Sequence, residues 1–253
     1  MLDYFNTKLP GGFPDHPHRG FETVTYLKEG SIYHEDFKGN KGILAPGDIQ
    51  WMTAGKGICH AEMPGKFDEI TKGFQLWLNL DKKHKYEEAG YQEYRADQLP
   101  LVQKDGIKIK LIAGETYGEK GPIKARTPAY FMDVQIDAGK NFEQIIPKQW
   151  VCLLFLYQGS GDINGKKVDT NQAVLFNQEN NEQIEIKSGN EGCHLMLMAG
   201  KPIGEPIIQY GPFVVTSQEE LYQTFEDYEE CKNGFEYRKG WASKIQHMAN
   251  RKK

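Results

Sequence analysis

The chain has 253 residues, 39% apolar and 26% charged, which is the composition of an ordinary folded protein and excludes a disordered one. A formal net charge of −4 provides no global attraction to nucleic acid. The longest apolar run, residues 150–157, is far shorter than the roughly 20 residues a membrane span needs.

The first residues, MLDYFNTKLP, have neither the basic start nor the apolar core of a secretory signal. Cys59, Cys152, Cys193 and Cys231 are scattered without a CxxC, which points to a reducing compartment. Many glycines with many aromatics favour a β-rich chain. Residues 21–27 read as a strand. Gly30, Gly39-Asn40, Pro46-Gly47-Asp48 and Gly55-Lys56-Gly57 then punctuate the chain at the rhythm of a β-sandwich or barrel. Residues 74–80 form another strand, with Phe74, Leu76 and Leu78 on one face and Gln75, Trp77 and Asn79 on the other.

The charged stretch 81–103 fits a linker or exposed connection. Strand candidates follow at 107–113, 130–136, 150–157 and 173–176, with a further apolar run at 195–198. YLKEGSIYHEDFKGNKGILAPGDIQWM and YQGSGDINGKKVDTNQAVLFNQENN share the order strand, Gly turn, polar hairpin, strand, which suggests a duplicated domain. Near the end, Ser217 and Glu220 make an S-x-x-E capping box. Leu221, Phe225 and Tyr228, with Tyr222, continue as a helical stripe to about Cys231. The basic tail, ending in Arg251-Lys252-Lys253, reads as a solvated terminus.

The chemistry concentrates in His16-Pro17-His18 and His60-Ala61-Glu62. Residues two apart on a strand share a face, so each triplet offers a pair of donors. Two such strands facing each other in a barrel would gather three imidazoles and one carboxylate. That set suits Fe, Mn, Co, Ni, Cu or Zn. Glu22 and His34 compete for the site: Glu22 as a ligand or an outer partner if its strand runs on unbroken from His18, His34 from the hairpin.

Two histidines one residue apart, a glutamate four on, Pro-Gly-Asp and a later histidine resemble the cupin signature. GGFPDHPHRGFETVTYL, PGDIQWMTAGKGICHAEMP and GFQLWLNL, with RTPAYFMD and EPIIQYGPFV further on, resemble the pirin family over nearly the whole chain. The resemblance implies an all-β bicupin: two β-barrel or jelly-roll cupin domains with a short C-terminal helix. The domains are expected at 1–98, metal-binding, and 104–253, metal-free and carrying the helix. The match begins almost at Met1, so the family's usual first strands are expected to be missing and Asp3 to lie at a frayed end.

By the same resemblance the metal is Fe2+, other divalent transition metals being alternatives. Its ligands are His16, His18, His60 and Glu62, which favours Glu62 over Glu22. Asp3, Phe13 and Gln75 match pocket-lining positions, and Trp77 shares a face with Gln75. The implied activity is that of a quercetin 2,3-dioxygenase: a flavonol or similar small aromatic substrate is opened by dioxygen with release of carbon monoxide, and Glu62 serves as catalytic base. The alternative is a redox-sensing iron protein that acts as a transcriptional co-regulator through a transcription-factor partner. A third class is a metal cupin with another small-molecule reaction. No direct nucleic-acid or membrane contact is expected, and the chain is expected to be a monomer in the cytoplasm or also in the nucleus.

Overall fold

The computed structural model describes residues 1–176 and 183–250. Residues 177–182, which close the second copy of the repeat, and Arg251-Lys252-Lys253 lie outside them. The chain forms two units, Met1–Ala96 with Gly204–Lys253, and Asp97–Ile203.

The first unit opens with β1 (Leu2–Thr7), β2 (Phe13–His18), β3 (Phe21–Glu29), β4 (Ile32–Asp36), β5 (Lys41–Leu44), β6 (Ile49–Thr53), β7 (Ile58–Pro64), β8 (Thr71–Asn79) and β9 (Gly90–Tyr94). They make a five-stranded sheet, β1-β8-β3-β6-β9, and a four-stranded sheet, β2-β7-β4-β5. All pairings are antiparallel. β6 and β7 are buried along their whole length, and they carry the polar Gln50, Thr53, His60 and Glu62 inside with their apolar residues. The stretch 81–103 is not merely a linker. β9 pairs with β6 inside it, Tyr91 donates to Asp36 Oδ2 at 2.9 Å, and Lys85 is almost fully buried.

The second unit comprises β10 (Leu101–Lys104), β11 (Ile107–Ala113), β12 (Glu115–Thr116), β13 (Glu119–Lys120), β14 (Ala129–Ile136), β15 (Asn141–Ile145), β16 (Val151–Ile163), β17 (Lys166–Asp169), β18 (Gln172–Phe176) and β19 (Gln183–Gly200). β19 is long enough to pair with β14, β15 and β16 in turn. Alternate residues of these strands, among them Leu111, Met132, Val134, Leu154, Leu156, Leu195 and Leu197, fill a continuous apolar core.

The chain then returns to the first unit through β20 (Ile208–Tyr210), β21 (Phe213–Val215) and α1 (Gln218–Glu229). The expected second domain, 104–253, therefore ends at Ile203, and the helix belongs with the first unit. The reason is apolar burial: Phe213, Val215, Leu221 and Phe235 share a core cluster with Phe37, Met52, Ala54 and Ile58. The helix starts as its sequence suggests. Ser217 Oγ accepts from Glu220 N at 3.2 Å, while the Glu220 carboxylate reaches back one residue beyond the usual capping box, to Thr216 N at 2.8 Å. Leu221 is buried and Tyr222 points to solvent. No helix among the described residues is long and apolar enough to cross a membrane.

Candidate metal centre

β2 and β7 are neighbours, and their register places His16 opposite His60. Two residues further on, His18 turns its ring to the same side. The three rings lie with centroids 4.4–5.0 Å apart. One nitrogen from each lies within 4.8 Å of the others, and among the described residues this is the one such gathering of three or more histidine, cysteine or carboxylate side chains. The five-stranded sheet closes the other side: Trp77 meets the edge of His18 at 5.4 Å and Phe21 at 4.5 Å.

The electrostatics favour neutral imidazoles. Burial lowers the pKa of His16, and lowers His18 and His60 well below the ordinary histidine value, with mutual repulsion adding to it. His16 Nδ1 donates to the Pro14 carbonyl at 2.8 Å, which leaves Nε2 as a lone-pair donor. Both ring nitrogens of His18 and of His60 are buried without a hydrogen-bond partner among the described residues. Orphaned polar nitrogens of this kind are costly in an apolar setting. A divalent transition metal would satisfy one nitrogen of each ring, the lone-pair nitrogen of a neutral imidazole being a common ligand for such ions. The donor set therefore fits a metal.

Glu62 shares the face of His60 and is buried, but its carboxylate is not within the 4.8 Å gathering. Thr25 Oγ1 lies 2.9 Å from Glu62 Oε1 and 2.6 Å from Gln75 Oε1. One hydroxyl hydrogen serves these two acceptors in turn. Burial raises the Glu62 carboxyl to about 7, with Thr25 opposing the rise. Of the pocket candidates, Gln75 and Trp77 are half-buried on the site face, and the Phe13 ring lies 6.5 Å from His16 while 42% exposed. Asp3 pairs with Gln75 in register and is exposed.

The two competing residues go elsewhere. The strand carrying His18 is broken at Arg19-Gly20, so Glu22 belongs to β3 and accepts from Thr53 Oγ1 at 2.8 Å. His34 pairs with Glu93 at 3.3 Å. Cys59 alternates with His60 along β7, and burial pushes its thiol up to about 12. Thr25, the Pro14 carbonyl and Arg19 were not singled out by the sequence. Their roles depend on strand register and chain return, which leave no local pattern.

Residues 2–78 match the family model for pirin, and residues 131–234 the model for the pirin C-terminal cupin domain. The chain is 44% identical to human pirin over 252 residues, which cover 97% of this chain and 86% of that one. The chain belongs to the pirin family. Pirin-like protein 2 of Arabidopsis thaliana is likewise 44% identical, over 96% of this pirin and 77% of its own length. Among solved structures, a quercetin 2,3-dioxygenase from Acinetobacter baumannii superposes with a TM-score of 0.84 at 28% identity, covering 93% of this pirin and 84% of that chain. The fold is accordingly the all-β bicupin, with the histidine gathering in its first unit.

Proposed function

We propose that this pirin is an iron-dependent dioxygenase that opens the ring of a flavonol such as quercetin, with His16, His18, His60 and Glu62 holding the metal. The observation that carries the reading is the convergence of three neutral imidazoles, of which His18 and His60 are fully buried with ring nitrogens that meet no hydrogen-bond partner among the described residues. The likeness to the Acinetobacter baumannii enzyme supports the substrate class. Bound iron supplies Lewis acidity towards a phenolic oxygen and electron exchange with dioxygen.

The residues around it divide the remaining work. Glu62, buried beside the histidines, would accept the proton of the substrate hydroxyl at a carboxylate oxygen not engaged by the metal. Thr25 follows that change: it donates to the ionised carboxylate, or accepts from the protonated one while donating to Gln75 Oε1. Trp77, backed by the buried Phe21, and the exposed Phe13 offer aromatic surface for a flat substrate.

Oxygen uptake with quercetin, measured on protein reconstituted with Fe(II), tests this reading. Metal-dependent uptake that is lost in His60→Ala is expected. Full metal loading without uptake would overturn it, and would turn attention to oxidation-dependent binding of a protein partner.

A further inference from the structure

A metal-binding imidazole is ordinarily aimed by an acceptor on its far nitrogen. His16 has one, the Pro14 carbonyl, but neither ring nitrogen of His18 meets a partner among the described residues. The direction of His18 rests on ring contacts with Phe21 and Trp77 and on the backbone that carries it.

That backbone is held at the next residue. Arg19 is 1% exposed, and its guanidinium is engaged on three sides. Nε donates to Lys56 O at 2.6 Å, Nη1 to Thr224 Oγ1 at 3.1 Å and Asp227 Oδ2 at 2.8 Å, and Nη2 to Asn233 O at 2.6 Å. The Phe235 ring lies 4.7 Å beneath it. The main chain of Arg19 is held too: its N–H donates to Pro212 O, and its carbonyl accepts from Val214 N at 3.0 Å. Apart from Lys56, every one of these partners belongs to the terminal segment after residue 203.

We propose that Arg19 is a positioning residue for the metal centre: clamped to Asp227, Thr224 and Asn233, it lets the C-terminal segment aim His18 and set the site's affinity for a divalent transition metal. The inference rests on the reading of the histidine gathering as a metal site. Two effects act in the same direction. The clamp fixes the end of β2 and with it the direction of the His18 side chain. Asp227 also cancels a buried guanidinium charge one residue from a ligand, a charge that would otherwise oppose an incoming cation.

The test is Co(II) titration of the full chain, with competition against a chelator and the visible Co(II) absorption as a signature of ligand geometry. Asp227→Asn and Arg19→Lys are expected to bind about 10–100-fold more weakly than the wild type, with an altered spectrum. Asp227→Glu, which keeps the charge, should recover part of the loss. Thr224→Val removes one bond and keeps the ion pair. It should show a smaller loss in the same direction, and it decides the matter if Asp227→Asn fails to fold. Folded variants that all bind within about twofold of the wild type, with its spectrum, would confine Arg19 to holding the fold. A wild type that binds no Co(II) would instead remove the metal reading itself, and this inference with it.

Discussion

His18 and His60 are neutral in the metal-free fold because burial disfavours their charged forms. The unfolded chain protonates the same rings near pH 6.5. Below that pH the unfolded state binds more protons, so these residues contribute stability that is lost as pH falls through about 6.5. Glu62 acts oppositely: its carboxyl stays protonated in the fold up to about 7, and its contribution declines as pH rises from the ordinary 4.5 towards 7. Two imidazoles outweigh one carboxyl below pH 6.5. Urea unfolding of the metal-free protein should therefore show stability rising from pH 5.5 to 6.5, less steeply in His60→Gln. A flat or falling profile would contradict the neutral-imidazole account. Thr25→Val removes the hydroxyl shared by Glu62 and Gln75 and should cost about 1–3 kcal/mol in thermal or urea unfolding. At this scale the sequence was informative where donors alternate on one strand. His16-x-His18 and His60-x-Glu62 are visible as pairs, whereas Thr25 acquires its place only once β3 is in register with β8.

At the scale of elements, the corner between β2 and β3 matters most. Gly20 has φ +87°, and a Cβ built there would lie 1.9 Å from Val214 O. Lys85 Nζ donates to the Gly20 carbonyl at 2.9 Å and to Val214 O at 3.1 Å, tying the corner to β21. Gly20→Ala should destabilise the protein by about 3 kcal/mol or more, read as a lowered urea midpoint, because both the backbone conformation and the close approach exclude a side chain. The strands at 107–113 and 130–136 were legible from β-branched and aromatic runs, and the helix from its Ser217 cap and apolar stripe. β9 was not, since GYQEY is half-exposed and set in a charged stretch. The break before β3 was hidden as well, because Arg19 reads as a surface residue until its partners from the far end of the chain are in place.

At the scale of the whole molecule, two related β-units carry different interiors. In the second, Leu, Ile, Val, Met and Phe side chains form one continuous packed core. The duplication was visible in the sequence as a repeated strand-turn-hairpin order. The return of the chain after Ile203 was not, because Phe213, Val215, Leu221 and Phe235 look like core residues of either unit. A chain ending at Ile203 would uncover Phe37, Met52 and Ile58 and release Arg19 from Asp227. It should lose metal binding and the cooperative unfolding of the first unit, as measured by circular dichroism during urea titration. Retention of both would show that the terminal segment is dispensable. The central claim, that His16, His18 and His60 together hold one metal ion, is tested most directly by anaerobic Fe(II) titration of the wild type and of His60→Ala. One ion bound per wild-type chain and none in the variant is the expected result. A wild type that binds no iron, or a variant that binds it undiminished, would contradict the account.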